Sequence, residues 1–118
     1  MNKGVVLISH GSRLSKTKEE VIVLVDKLKA LSGIDIIEYA FLEIESPSIP
    51  EGIERCISKG ANNVIVLLNF LNAGRHVDVD IPAIVKEVSL KYPAVNITIT
   101  KPVGQHERIT DLFLDLMA

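Results

Sequence analysis

The sequence has 118 residues, of which 47% are apolar and 24% charged, so it is long enough for one compact domain and too apolar for a disordered chain. The 13 Lys and Arg residues nearly balance the 15 Asp and Glu residues, and the net charge of -2 argues against nucleic acid or anionic lipid as a partner. The single cysteine, Cys56, excludes an internal disulfide and a cysteine-built zinc site. With no secretory signal and no membrane-spanning run, we expect one cytoplasmic domain over residues 1–118.

The first part of the chain predicts a strand followed by a helix. Residues 4–9 are apolar without alternation, which is typical of a strand buried on both faces. Residues 16–31 then carry apolar side chains at helical spacing. Thr17 and Glu20 match a capping box at the start of this helix, and Gly33 is a stop signal at its end.

A second strand and helix follow in the same order. Residues 34–41 are more mixed in polarity, which predicts a strand nearer the edge of a sheet. Ser48 and Glu51 form a second capping box, and the helix that it opens is predicted to end at Gly60. Cys56 lies beside the apolar stripe of that helix, so we expect it to pack in the core.

The last part of the chain repeats this alternation twice. Residues 63–68 predict a third buried strand, and residues 95–100 predict a fourth, alternating strand. Asp80 is expected to be the N-cap of the intervening helix. A final helix is predicted near residues 106–116, with an apolar stripe of Ile109, Leu112, Phe113 and Leu116.

The order of these elements defines the fold class. A βαβαβαβα pattern with short connections predicts an α/β fold with a four-stranded, mostly parallel sheet and helices on both faces. A sheet this small corresponds to half of a doubly wound, two-lobed fold. Ligands of open α/β sheets bind beyond the carboxyl ends of the strands, so the residues at those ends carry the functional prediction.

Every histidine of the chain follows a predicted strand. His10 comes after the first strand, His76 after the third and His106 after the fourth, while Glu43 follows the second. Taken alone, His10 is explained equally well by a hydrogen bond to a loop carbonyl, His76 and His106 are better explained as surface residues, and Glu43 is explained as a carboxylate near the next helix N-terminus. Together, two imidazoles and a carboxylate suit a divalent transition metal, and the same groups move protons near neutral pH. His10, His76 and Glu43 are therefore the candidate metal-binding and catalytic residues.

Arginines at the same edge point to an anionic ligand. Arg13 and Arg75 flank the histidines, and Ser12 with the backbone of Gly11 offers further donors at a helix N-terminus, where anions bind. This arrangement favours a ligand that carries carboxylates or phosphates, although ordinary surface arginines explain the pattern almost as well.

Segments of the sequence resemble a known family. The matching pieces are LISHGSR at residues 7–13, AFLEIESPSI at 40–49, NFLNAGRHVDVDIP at 69–82 and PVGQHE at 102–107. The family they resemble is that of the small, ATP-independent (class II), CbiX-type tetrapyrrole chelatases, which insert cobalt, iron or nickel into sirohydrochlorin.

The resemblance implies a function and a set of site residues. It implies that His10 and His76 bind the metal, that Glu43 lies near it, and that the chain is a homodimer whose cleft is shaped by both subunits. The residues expected to contact the tetrapyrrole are Ser12, Arg13, Phe70, Leu71, Gly74, Arg75 and His106.

We therefore predict an enzyme that inserts a divalent metal ion into sirohydrochlorin, with cobalt as the first choice and iron or nickel as the others. The metal is a substrate, and no phosphate-binding loop of the GxxxxGK[ST] type is present, so no nucleotide is expected. Two alternatives remain open at this point. One is a phosphohistidine-type phosphoryl-transfer enzyme, and the other is a non-enzymatic carrier of metal or tetrapyrrole.

Overall fold

Strands and helices alternate along the whole chain, and the computed structural model describes residues 2–118. The strands are β1 (Lys3–Ser9), β2 (Ile36–Phe41), β3 (Asn63–Leu68) and β4 (Asn96–Pro102). The helices are α1 (Ser15–Ser32), α2 (Ile49–Ser58), α3 (Ile81–Lys91) and α4 (Ile109–Met117). A π-helical turn (His76–Asp80) precedes α3, and a 3-10 turn (Val103–Gln105) follows β4.

The strands form one sheet in the order β2-β1-β3-β4, with every neighbouring pair parallel. The central pair is in continuous register from Lys3 opposite Asn63 to Ile8 opposite Leu68. The uninterrupted apolar runs are thus the inner strands, and β2 lies at an edge, as predicted; β4 forms the other edge. Because all strands run the same way, their carboxyl ends meet at one edge of the sheet.

Helices cover both faces of the sheet, which confirms the predicted layers. On one face, Val21 and Val25 of α1 pack with Val5 and Leu7 of β1. On the other face, α2 and α3 pack against the alternate side chains of β1 and β3. The buried residues of this second cluster are Val6, Ile8, Ala40, Ile49, Ile53, Cys56, Ala61, Val64, Val66, Leu68, Val77, Ile81, Val85 and Val88.

Helix ends agree with the sequence in one case and differ in another. The Ser48 hydroxyl accepts a hydrogen bond from Glu51 N, and Ser48 N donates to the Glu51 carboxylate, so the predicted capping box of α2 is confirmed. The capping box predicted at Thr17 is wrong. Helix α1 begins earlier, at Ser15, and Thr17 N already donates to Leu14 O within its first turn.

The start of α3 also differs from the prediction. Asp80 is not an N-cap, because its φ of -66° and ψ of -50° are helical and the π-helical turn runs directly into α3. Ile81 N donates to His76 O across this turn. The helical backbone therefore extends back to His76, one turn before the predicted start.

The apolar stripe predicted for α4 is largely uncovered by its own chain. Leu112, Phe113 and Leu116 are 55%, 58% and 83% exposed. The α1 face of the sheet beside β3 and β4 is an open groove of about 400 Å³. The groove is lined chiefly by apolar side chains, among them Leu7, Leu24, Leu28, Leu67, Pro102 and Val103. Within residues 2–118, no helix has the length and apolar character needed to cross a membrane.

Candidate metal centre

The loops after β1 and β2 are held side by side at the carboxyl edge of the sheet. Leu42 N donates to Ser9 O at 2.9 Å, and Glu43 N donates to His10 O at 3.1 Å, so the pairing of the two strands continues beyond their ends. Gly11 permits this close approach. Its φ is +106°, and a Cβ at this position would lie 1.9 Å from the Glu43 carbonyl oxygen.

These loops bring His10 and Glu43 into direct contact, and the connection after β3 adds His76. His10 Nε2 lies 2.8 Å from Glu43 Oε1, and the His10 and His76 ring centroids are 5.3 Å apart. One ligand atom from each of the three residues lies within 4.8 Å of the others. Nitrogen and oxygen ligands around one ion with bonds of about 2 Å are roughly 3–4 Å apart. Small side-chain movements would therefore place all three around one ion.

The site is open to solvent. The side chains of His10, Glu43 and His76 are 46%, 53% and 49% exposed. An ion held by them would keep further positions for water or for an incoming ligand. Glu43 and His76 also line a shallow depression of about 380 Å³ together with Leu42, Asp80, Ala83 and Ile84.

His76 has a second partner within its own helical turn. Its Nδ1 lies 2.9 Å from Asp80 Oδ2, and Arg75 Nε lies 3.8 Å from the other oxygen of the same carboxylate. Sequence reasoning missed this contact because it placed the helix start at Asp80. The four-residue spacing between His76 and Asp80 is the signal that could have revealed it, since such pairs are neighbours on a helix.

At the anion site predicted around Ser12, the backbone N–H of Ser12 is already bonded to a carboxylate of the same chain. Ser12 N donates to Glu45 Oε1 at 2.8 Å. Between Glu43 and Glu45, Ile44 has a φ of +72°, a left-handed conformation that is costly for a β-branched residue. The resulting turn directs both flanking glutamates toward the β1–α1 loop, and the sequence alone did not indicate a role for Glu45.

A partly buried polar pair anchors the β3 end of the site. Asn69 Nδ2 donates to the hydroxyl of Ser9 at 3.0 Å, and Asn69 N donates to Ile8 O at 2.8 Å. Ser9 is buried directly before His10, so these bonds fix β3 against the strand that carries His10. Phe70 then packs against the core, whereas Leu71 is exposed.

Of the other predicted site residues, Arg13, Gly74 and Arg75 are exposed. His106 does not belong to the cluster of His10, Glu43 and His76 and instead lines the apolar groove on the α1 face. Its Nδ1 accepts a hydrogen bond from Arg108 N at 3.0 Å. Of the three histidines predicted at one edge, the structure thus brings two together.

The fold and the site define a class: a single α/β lobe that presents two imidazoles and a carboxylate at the carboxyl edge of a parallel sheet. The CbiX family model matches residues 4–118. The chain therefore belongs to the CbiX family.

Named relatives agree with this assignment. The sequence is 32% identical to the sirohydrochlorin ferrochelatase of Bacillus subtilis over 109 residues, which cover 92% of this chain and 42% of that protein. It is also 32% identical to the sirohydrochlorin cobaltochelatase of Methanococcus maripaludis, and the match covers 96% of each chain.

A solved structure extends the comparison to the fold. The cobalt complex of the sirohydrochlorin chelatase SirB from Bacillus subtilis subspecies spizizenii superposes with a TM-score of 0.90 at 29% identity. The match covers 99% of this chain and 50% of SirB. The chain therefore spans about half the length of the longer relatives that it matches and nearly all of the shorter one.

Proposed function

We propose that this chain is a class II chelatase that inserts a divalent metal ion into sirohydrochlorin without ATP. The observation that carries the proposal is the cluster of His10, Glu43 and His76, whose ligand atoms lie within 4.8 Å at an open edge of the sheet. The relatives named as sirohydrochlorin ferrochelatase and cobaltochelatase support the choice of substrate.

The proposed reaction exchanges the ligands of the ion. His10 and His76 hold the ion at the open edge, and the nitrogens of the macrocycle replace them and the bound waters. The pyrrole N–H protons must leave as the metal enters. A neutral imidazole or the Glu43 carboxylate can accept them, since each has a lone pair free to bind a proton. The contact between His10 Nε2 and Glu43 Oε1 at 2.8 Å gives such a proton a direct route between the two residues.

The side chains proposed to bind the substrate lie around this exchange site. Arg13 and Arg75 are exposed and can pair with the carboxylates of sirohydrochlorin. Phe70, Leu71 and Gly74 belong to the connection that leads to His76, and His106 lies at the neighbouring groove. Cobalt is the first metal to test, with iron and nickel next, because imidazole and carboxylate ligands accept all three.

We further propose that the chain acts as a cytoplasmic homodimer. The exposed apolar stripe of α4 supports this. An apolar helix of this kind in a second copy fits the groove between α1 and β4, where it would cover Leu24, Leu28 and Leu67.

The catalytic proposal is tested with His10→Ala and His76→Ala in a spectroscopic assay of sirohydrochlorin and Co²⁺. Both variants should fold and should lose the rate above the uncatalysed reaction. His106→Ala is the control for the binding of Co²⁺ measured without sirohydrochlorin, because it removes a histidine outside the cluster and should leave that binding unchanged. Full activity in both cluster variants would refute the proposal.

The same assay identifies a carrier, and a phosphatase assay with an aryl phosphate identifies a phosphohistidine enzyme. A carrier would bind metal or tetrapyrrole without turnover. A phosphohistidine enzyme would hydrolyse an aryl phosphate, and the cluster variants would lose that activity. The metal itself follows from the relative rates with Co²⁺, Fe²⁺ and Ni²⁺.

The dimer is tested by the molar mass in solution of the full chain and of Phe113→Asp. The wild type should have the mass of two chains, and the variant should dissociate. Leu90→Asp is the control, since Leu90 is also exposed but lies on α3, away from the α1 face. A monomeric wild type, or equal dissociation in both variants, would contradict this interface.

A further inference from the structure

Asp80 is the hydrogen-bond partner of His76, one of the three residues of the metal cluster. Asp80 Oδ2 lies 2.9 Å from His76 Nδ1, and the ring centroids of His76 and His10 are 5.3 Å apart, with the two rings tilted by 56°. Arg75 lies 3.8 Å from the other carboxylate oxygen, so each oxygen of Asp80 has a neighbour of its own.

This contact determines which nitrogen of His76 carries the proton. An ionised carboxylate can only accept a hydrogen bond, so a neutral His76 must keep its proton on Nδ1. Its Nε2 then has a free lone pair. A histidine that donates from one nitrogen to a carboxylate and binds metal with the other is a common arrangement, because the carboxylate fixes the ring and raises the basicity of the ligating nitrogen.

We propose that Asp80 is a positioning residue that holds His76 in the Nδ1–H form, so that Nε2 is the atom that binds the ion. The inference rests on the proposed function, because it takes His76 as a metal ligand. Asp80 acts through His76, and its carboxylate is already engaged by His76 and Arg75.

The π-helical turn gives this pair its geometry. His76 and Asp80 open and close the turn, and Ile81 N donates to His76 O across it. Such turns are frequent at functional sites. The turn is continuous with α3, whose Ile81 and Val85 are buried in the core, so Asp80 is supported by packed structure. The Asp80 carboxylate can therefore fix the orientation of the His76 ring better than a carboxylate on an exposed loop could.

The experiment uses Asp80→Ala, Asp80→Asn and the control Asp78→Ala. Asp78 is exposed in the same turn, so its removal takes away the same charge at a similar position. Two quantities are measured on the metal-free and cobalt-titrated full chain. One is the tautomer of His76, from the ¹⁵N shifts of its ring at a pH where it is neutral. The other is the dissociation constant for Co²⁺ alone.

The wild type should show Nδ1–H, and Asp80→Ala should shift His76 toward Nε2–H and weaken Co²⁺ binding by about 10–100-fold. Asp80→Asn should largely restore the Nδ1–H form, because an amide oxygen also accepts a hydrogen bond. Asp78→Ala should behave as the wild type.

Two results would overturn the assignment: an unchanged tautomer in Asp80→Ala, or an equal loss of affinity in Asp78→Ala, which would indicate a general charge effect. The failure of the proposed function is a different result. It would appear as a wild-type chain that does not bind Co²⁺ although His76 keeps the Nδ1–H form.

Discussion

Replacing Gly11 by alanine tests whether the close approach of two loops creates the metal cluster. A Cβ at Gly11 would lie 1.9 Å from the carbonyl oxygen of Glu43, which is a backbone atom and cannot rotate away. Gly60 offers a matched control. It has the same φ of +106°, and among the described residues a Cβ there would meet no atom within 4 Å.

The two substitutions separate backbone strain from the contact. Both force an alanine into a conformation that costs about 1–3 kcal/mol. Gly11→Ala must also displace Glu43, and overpacking of this kind adds roughly 1–3 kcal/mol. We therefore expect a loss of about 1–3 kcal/mol for Gly60→Ala and about 2–6 kcal/mol for Gly11→Ala. Only Gly11→Ala moves Glu43 relative to His10.

Urea denaturation measures the free energy of unfolding of each variant. Titration with Co²⁺ measures the affinity of the folded fraction for the ion. Gly60→Ala should bind Co²⁺ as the wild type does, while Gly11→Ala should bind it more weakly. Equal destabilisation by the two variants together with equal Co²⁺ affinity would refute the idea that the approach at Gly11 builds the cluster.

Two further predictions concern stability and reactivity. Ser48→Ala removes the acceptor for Glu51 N and should cost about 1 kcal/mol in urea denaturation. The hydrogen bond from the Ser48 backbone, followed by the Ser48 side-chain bond, holds the pKa of Glu51 below its usual value. This stabilisation is present above the usual pKa and is lost as the pH falls through the lowered one, so the difference in stability between Glu51→Gln and the wild type should shrink in acid; a constant difference would contradict it. Burial raises the pKa of the Cys56 thiol to about 12, so a thiol reagent at pH 8 should label the native chain far more slowly than the denatured one. The Cys56 thiol ionises first in the unfolded chain, near pH 9.0, so the free energy of unfolding should fall as the pH rises from 9.0 to about 12. Rapid labelling of the native chain would refute the burial argument.

Much of the fold could be predicted because the strands of the sheet can be recognised from local sequence patterns. Continuous apolar runs at residues 4–9 and 63–68 mark strands covered on both faces, and these are the inner strands β1 and β3. The capping box at Ser48 works within one helical turn, so it can be recognised without tertiary information. Parallel pairing then brings the strand ends, and with them His10, Glu43 and His76, to one edge.

The missed features depend on information that local patterns lack. The stripe of α4 indicates that one face of the helix is apolar, but periodicity cannot say whether its own chain covers that face. The role of Asp80 depended on where the helix begins, and helix boundaries are the least certain part of such predictions. The turn at Ile44 depends on a β-branched residue in a left-handed conformation, which backbone propensities do not predict.

The exposure of the three proposed ligand side chains, His10, Glu43 and His76, favours transfer of the metal over storage. An arriving ion must replace the 2.8 Å contact between His10 and Glu43, and this lost contact lowers the net affinity of the site. When the ion leaves, the same contact can form again, which favours release. A carrier would gain from a closed shell that excludes water and competing ligands, whereas here each ligand side chain is about half exposed. A site that is open, and whose His10 and Glu43 pair with each other when no ion is bound, suits an ion that must pass to a macrocycle. For this reason, turnover with sirohydrochlorin distinguishes a chelatase from a carrier better than the affinity for the ion alone.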